Sequence, residues 1–291
     1  MTAHDKNIIY NLLNTAQAYI DGTPKKTIPQ FAEKTQTTKN KAKNTNLDIN
    51  QQQKLELIAQ KITQCQNCKL SKLRHFPVPG NGVAHPLVMI IGEGPGQDED
   101  LSSQPFVGRA GQLLDKMLAA IQLSKNKNVF ITNVVKCRPP HNRNPELEET
   151  EACRAWLDAQ IILLKPKAIL ALGKVAAHNL LGISDTMSHM HGKFYDYSGI
   201  PVMPTYHPSA LLRNEAMKRP TWEDLKIFRS RLQKEQPGYN EPGFYDNPAN
   251  TPQMAYHKDS IYNKFQRKTP QYNQPKERTA HGANHQTWQG R

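Results

Sequence analysis

The stretch Leu87-Val88-Met89-Ile90-Ile91-Gly92-Glu93-Gly94-Pro95-Gly96 joins an unbroken apolar run to a glycine-rich turn. A short apolar run without alternation is typical of a strand that is buried on both faces of a parallel sheet. Three similar runs follow, at 129–135, 168–172 and 200–205. Helical patterns accompany them, at 111–123, 146–164, 174–181 and 222–232. Strands alternating with helices predict an α/β fold, a three-layer αβα sandwich around a central, mostly parallel sheet.

The chain outside this core differs in composition. Apolar residues at helical spacing predict a short amphipathic helix within 1–24, and the Lys-, Thr- and Asn-rich stretch 25–50 predicts a basic flexible linker. The α/β domain then spans 51–236. Residues 237–291 are rich in Pro, Gly, Asn and Gln, which predicts a disordered tail. Its aromatic and basic side chains can bind nucleic acid or repair partners, although a solvated tail without a specific role is an equally good interpretation.

The charge balance indicates a polyanionic partner. The 291 residues contain 38 Lys and Arg against 25 Asp and Glu, a formal net charge of +13, and nucleic acid is the first candidate. No run approaches the roughly 18 apolar residues of a membrane span, and the first 20 residues lack the apolar core of a signal peptide. We therefore expect a monomeric, cytoplasmic protein that does not bind membranes.

The four cysteines indicate a metal site. Cys65 and Cys68 form a CxxC pair, whereas Cys137 and Cys153 lie far downstream and can join them only through the fold. Four thiolates can hold zinc or an iron–sulfur cluster, and a CxxC pair alone can also be a redox pair. Buried cysteines without a ligand are the structural alternative for the second pair.

The glycine-rich turn is one of four segments that carry polar and aromatic residues after strands or at the start of a helix. The others are Gln104-Pro105-Phe106-Val107-Gly108-Arg109-Ala110-Gly111, Thr132-Asn133-Val134-Val135-Lys136-Cys137-Arg138-Pro139-Pro140 and Thr205-Tyr206-His207-Pro208-Ser209-Ala210-Leu211-Leu212-Arg213. Ligands bind at the carboxyl edge of open α/β sheets, so these segments are expected to share one rim.

Taken together, the segments and the order of the cysteines resemble the family 4 uracil-DNA glycosylases, from about residue 55 to residue 232. The resemblance implies the glycosylase fold, a [4Fe-4S] cluster on the four cysteines, and uracil-containing DNA as substrate. It implies hydrolysis of the N-glycosidic bond of a flipped uracil, which starts base excision repair. A non-catalytic iron–sulfur DNA-binding module of the same fold, or an iron–sulfur electron carrier, are the alternatives.

The resemblance also assigns roles to residues of the rim. Phe106 matches the aromatic on which uracil stacks, Asn133 the amide that pairs with the uracil edge, and His207 the donor beside the uracil carbonyl. Gly92, Glu93 and Gly94 complete the expected uracil site. Gly94 stands where better-known uracil-DNA glycosylases carry an aspartate, so Glu93 is the first candidate for activating water and Glu99 the second.

Basic residues near these segments are candidate phosphate contacts, although exposed basic residues are common on proteins. The candidates are Arg109, Lys136, Arg138, Arg143 and Arg213. At the end of the core, Thr221 is predicted to cap the last helix in a capping box with Asp224.

Overall fold

The computed structural model describes residues 44–246, which contain one six-stranded sheet. The strands lie in the order β1-β3-β2-β4-β6-β5, and the four central strands are parallel while each edge strand pairs antiparallel. Their bounds are β1 Asn81–Gly82, β2 Val88–Gly92, β3 Val129–Asn133, β4 Ala168–Leu172, β5 Tyr195–Tyr197 and β6 Ile200–Thr205.

Helices cover both faces of this sheet. Their bounds are α1 Asn44–Gln64, α2 Gln97–Ser102, α3 Arg109–Ala119, α4 Leu147–Leu164, α5 Lys174–Leu181, α6 Met187–Met190, α7 Pro208–Arg213 and α8 Lys218–Glu235. No helix of this described part is long and apolar enough to cross a membrane.

Alternate residues of the central strands enter two separate hydrophobic cores. Met89 and Ile91 pack with residues of α1, α4 and α5, whereas Val88 and Ile90 pack with residues of α3, α7 and α8. Both faces of each strand are therefore buried, which explains why the sequence shows unbroken apolar runs rather than alternation. The predicted three-layer α/β sandwich with a mostly parallel sheet is confirmed.

Two predicted boundaries differ from the structure. Helix α1 begins at Asn44, inside the stretch predicted to be a linker. At the other end, the chain packs on the domain beyond Gln236, because Tyr239 is buried and its hydroxyl donates to the Ile121 carbonyl at 3.1 Å. The tail was predicted to begin too early, since its aromatic residues were not recognised as core. The predicted helix within 1–24 and the rest of the tail lie outside the described residues.

The predicted capping box at Thr221 is wrong. Helix α8 begins three residues earlier, at Lys218, and the Thr221 hydroxyl donates to the Met217 carbonyl inside the helix at 2.7 Å. Asp224 instead accepts a hydrogen bond from the Thr205 hydroxyl at 2.7 Å, at the end of β6. The spacing of the two residues suggested a cap, but their tertiary partners decide their role.

Candidate active site

The turns after β2 and β3 are joined at the carboxyl edge of the sheet. Gly92 and Asn133 are direct partners in the parallel register. Beyond them, the Val134 N–H donates to the Gly92 carbonyl at 2.9 Å and the Val135 N–H donates to the Glu93 carbonyl at 3.1 Å. Two of the predicted site segments are therefore held side by side by backbone hydrogen bonds.

The absence of a side chain at Gly92 lets an amide and an aromatic ring converge. A Cβ atom at this position would lie 2.4 Å from Asn133 Oδ1 and 2.7 Å from Phe106 Cζ. Asn133 is 1% exposed, and its Oδ1 has no hydrogen-bond partner among the described residues. A buried acceptor without a partner costs about 1–3 kcal/mol. This oxygen is thus available to a ligand that donates a hydrogen bond.

Phe106 is held in an unfavourable backbone conformation. Its φ of 54° lies in the left-handed region, which costs a bulky residue on the order of 1–3 kcal/mol. Gly111 permits this turn, because a Cβ there would lie 1.9 Å from the Phe106 carbonyl oxygen. The loop therefore places the Phe106 ring at the site despite a local conformational cost.

Glu99 fixes the same loop from α2. Its carboxylate accepts backbone N–H bonds from Gly96 at 3.0 Å, Val107 at 2.9 Å and Gly108 at 3.0 Å. Both oxygens accept hydrogen bonds from these three donors. Glu99 therefore orders the loop, and it is a poorer candidate than Glu93 for activating water.

His207 presents a neutral ring beside Phe106. The two ring centroids are 5.6 Å apart, and the Ser209 backbone N–H donates to His207 Nδ1 at 3.1 Å. Since Nδ1 accepts this bond, a neutral ring carries its proton on Nε2. Burial, and secondly the charge of Arg213, lowers the pKa of His207 to about 4. The imidazole is thus a neutral hydrogen-bond donor at physiological pH.

Glu93 is the acid whose surroundings suit proton transfer. Burial raises the pKa of its carboxyl above the ordinary value, and the side chain has no hydrogen-bond or ion-pair partner within residues 44–246. The neighbouring Gly94 lies against the segment that follows β3. A Cβ atom at Gly94 would be 2.8 Å from Val135 Cγ2. An aspartate at Gly94 would therefore force this turn to shift.

The five predicted phosphate contacts differ in their surroundings. Arg109 and Arg213 are exposed and Arg138 is partly exposed, with its Nε bonded to Asn142 Oδ1. Arg143 forms two bonds, at 2.8 and 2.7 Å, to the carboxylate of the buried Glu149. Lys136 is 1% exposed, so its ammonium cannot reach a phosphate, and its predicted contact with DNA is wrong.

The four cysteines line one small cavity, between α1, the segment that follows β3, and α4. None is in a disulfide. Burial raises the pKa of Cys137 to about 11 and of Cys153 to about 12, so that the thiols keep their protons unless a metal displaces them. No three His, Cys, Asp or Glu side chains in the described part of the chain meet as ligands of one metal ion.

Hydrogen-bond donors surround the sulfurs of the cysteines. Arg74 Nη1 donates to Cys137 Sγ at 2.8 Å, Trp156 Nε1 to Cys65 Sγ at 3.3 Å, and the Lys136 backbone N–H to Cys153 Sγ at 3.3 Å. Sequence reasoning missed all three donors. Arg74 lies close to the CxxC pair in sequence, but nothing in the pattern separates it from other basic residues, and Trp156 is 91 residues from Cys65.

Comparisons with known proteins agree with this geometry. Residues 79–226 match the Uracil DNA glycosylase superfamily. The Type-4 uracil-DNA glycosylase of Pyrobaculum aerophilum is 43% identical over 60% of this chain and 92% of its own length. Those of Saccharolobus solfataricus and Thermotoga maritima are 40% and 39% identical, over 61% and 62% of this chain and 86% and 96% of their own lengths. The chain therefore belongs to the uracil-DNA glycosylase superfamily, among its type-4 members.

Proposed function

We propose that this protein is a uracil-DNA glycosylase that hydrolyses the N-glycosidic bond of uracil in DNA and so starts base excision repair. The observation that carries the proposal is the buried, unpaired Oδ1 of Asn133 beside the Phe106 ring. A flipped base needs a stacking surface and a polar group that reads its Watson–Crick edge. The Asn133 amide can accept from uracil N3–H and donate to the adjacent carbonyl, while Phe106 stacks on the ring.

His207 is proposed to stabilise the leaving group. As the C1′–N1 bond breaks, its electron pair moves onto uracil and negative charge develops on the carbonyl next to N1. The neutral ring with its proton on Nε2 can donate a hydrogen bond to that oxygen. A preorganised donor of this kind contributes about 2.7–4 kcal/mol.

Glu93 is proposed to complete the hydrolysis. The sugar becomes an oxocarbenium ion as the base leaves, and a water molecule bonds to C1′. The Glu93 carboxylate takes the proton of that water, which leaves an abasic site. The raised pKa of Glu93 and its lack of a partner within residues 44–246 support this role.

Arg109, Arg138 and Arg213 are the proposed phosphate contacts. Arg213 ends α7, which begins directly after His207, and Arg109 begins α3 three residues after Phe106. Both are therefore on the rim of the site, where a positive side chain can hold the backbone that flanks a flipped nucleotide. Arg143 is paired with Glu149, which makes it a weaker candidate.

We further propose that Cys65, Cys68, Cys137 and Cys153 hold a [4Fe-4S] cluster. The four side chains fit such a group, because they line one cavity and three sulfurs already accept hydrogen bonds. Cys65, Cys68, Cys137 and Cys153 would be its ligands, and it would supply a structural link between the segments that carry them. Arg74 and Lys136 line the same cavity and can offset the negative charge of a thiolate-bound cluster. The cluster would cross-link α1, the exit of β3 and α4.

The activity is tested with labelled oligonucleotides that contain either uracil or thymine at one position, followed by alkaline cleavage. Wild-type protein is expected to cut at uracil alone. Asn133→Ala should lower the rate by about 10³-fold or more, because the polar edge of uracil would lose its hydrogen-bond partner in a buried site. Asn126→Ala, which changes an exposed asparagine, is the matched control. Specific uracil binding without cleavage by folded wild-type protein would instead support the non-catalytic module.

The cofactor is tested on protein purified without oxygen. A [4Fe-4S] cluster predicts a brown protein with about four irons and four sulfides per chain, and Cys153→Ser should be colourless. One zinc ion per chain and no sulfide would reject the cluster. Redox activity that does not depend on uracil, in a protein that leaves uracil-containing DNA uncut, would favour the electron carrier.

A further inference from the structure

Lys136 is a buried cation whose ammonium group bonds to the protein interior. Its Nζ donates to Thr132 Oγ1 at 2.6 Å, to the Asn133 carbonyl at 2.8 Å and to Gln160 Oε1 at 2.8 Å. All three donors of the ammonium are used. Its Asn133 bond attaches the lysine to the backbone of the residue that reads the base.

The same residue forms part of the wall of the cysteine cavity. Its backbone N–H donates to Cys153 Sγ, the residue lines the cavity, and the next residue is Cys137. Its carbonyl also accepts the Val78 N–H at 2.7 Å. Lys136 therefore contacts both regions of the molecule that the proposed function requires.

A buried ammonium is costly to place in a protein interior. Desolvation of an ion costs several kcal/mol, and an apolar residue of similar volume often gives equal or higher stability. Thr132 and Gln160 could also bond to each other without the lysine, since the Thr132 hydroxyl already donates to Gln160 Oε1 at 3.1 Å. Stability of the core alone is thus a poor reason for a lysine at this position.

We propose that Lys136 is a positioning residue that couples the occupied cysteine cavity to the base-reading Asn133. This inference rests on the proposed cluster and glycosylase activity. Lys136 would pair its charge with the negative charge that thiolate ligands bring to the cavity, and this pairing would help to hold the ammonium in place. The ammonium in turn holds the Asn133 carbonyl and fixes the turn whose next two N–H groups bond to Gly92 and Glu93.

The coupling predicts a local change at those two N–H groups. Lys136→Met keeps a similar side-chain volume but removes the charge and the donors. Hydrogen exchange at the Val134 and Val135 amides should become about tenfold faster, while exchange at Leu170, in the middle of β4, should not change. Affinity for a non-cleavable uracil-containing oligonucleotide should fall by about tenfold. Lys116→Met, which changes an exposed lysine of α3, is the matched control.

The exchange experiment starts from brown wild-type protein that cuts uracil-containing DNA, so that failure of the proposed function is recognised first. Wild-type protein stripped of its cluster by a chelator should show the same local increase at Val134 and Val135. Wild-type exchange in a brown Lys136→Met variant would overturn the coupling. A uniform increase at all amides of the stripped protein, Leu170 included, would also overturn it. If the variant does not fold, the stripped wild-type protein alone decides.

Discussion

The proposed base site and the cysteine cavity differ in how their polar atoms are paired. At the proposed base site, Asn133 Oδ1 and the Glu93 carboxylate have no partner within residues 44–246. In the cavity, three sulfurs accept hydrogen bonds, from Arg74, Trp156 and the backbone of Lys136. The proposed base site thus has unpaired polar atoms that can bind a substrate transiently. The cysteine cavity has hydrogen-bond donors around its sulfurs, as suits a permanently bound cofactor.

This difference has an energetic consequence. Unpaired buried groups lower the stability of the free protein, and a ligand that pairs with them recovers that free energy when it binds. Groups around a permanent cofactor contribute to stability instead. Loss of an unpaired group at the proposed base site should therefore affect catalysis more than folding, and loss of a side-chain donor to a sulfur should affect folding more than catalysis.

After Asn133→Ala, the largest effect is expected for His207→Ala. Loss of the neutral Nε2–H donor should lower the rate of uracil excision by about 10²–10³-fold with little change in unfolding temperature. Single-turnover cleavage and thermal unfolding measure the two quantities. The control is His189→Ala, because that histidine is exposed and its ring contacts Asp185, outside the proposed site. A large decrease in the unfolding temperature of His207→Ala, enough to account for its lower excision rate, would contradict the difference between the two regions.

Glu93→Gln should lower the rate by about 10²-fold, because the amide orients water but does not accept its proton. Wild-type activity should decrease on acidification as Glu93 becomes protonated, with a midpoint above the ordinary value of about 4.3 for a glutamate, since burial raises its pKa. His207 stays neutral until about pH 4 and does not cause this decrease. A pH–rate profile with the same acid limb in Glu93→Gln would assign the proton transfer to another group.

Glu99→Ala should weaken uracil binding by about tenfold and lower the free energy of unfolding by about 1–3 kcal/mol. Three backbone N–H groups lose their acceptor, and Phe106 loses the support for its left-handed backbone. KM and denaturant unfolding are the measurements. The adjacent Asp98→Ala changes an exposed carboxylate of the same helix and serves as control. A lower kcat with an unchanged KM would return Glu99 to the list of water-activating groups.

The smallest effect is expected for Trp156→Phe in the cavity. Loss of the donor to Cys65 Sγ should lower the free energy of unfolding by about 1 kcal/mol, or roughly 2–4 °C in unfolding temperature. The rate of uracil excision should not change. The brown absorption during heating reports on cluster loss directly. A large loss of excision with the colour retained would show that the cavity acts on catalysis by more than stability.

The sheet and helix layers, and the candidate residues at the carboxyl edge of the sheet, could be predicted from the sequence because local patterns specify them. Runs such as 168–172 and 174–181 match β4 and α5 residue for residue. Phe106, Asn133 and His207 were found through their motifs, and the structure brings Phe106 close to both of the others. The edge strands β1 and β5 were missed, since two or three residues carry too little periodicity to be recognised.

The sequence by itself determined the fold class, the four cysteines and the residues proposed to contact the base, because each depends on a short pattern of residue types. Only the tertiary structure decided which charged side chains are exposed and which are buried or paired. Lys136 and Arg138 are equivalent in sequence, yet one is buried with three acceptors and the other lies at the surface. Glu93 and Glu99 likewise differ in their partners, because backbone N–H groups reach only the Glu99 carboxylate among the described residues. Solvation and hydrogen-bond partners come from distant segments, so no local pattern specifies them.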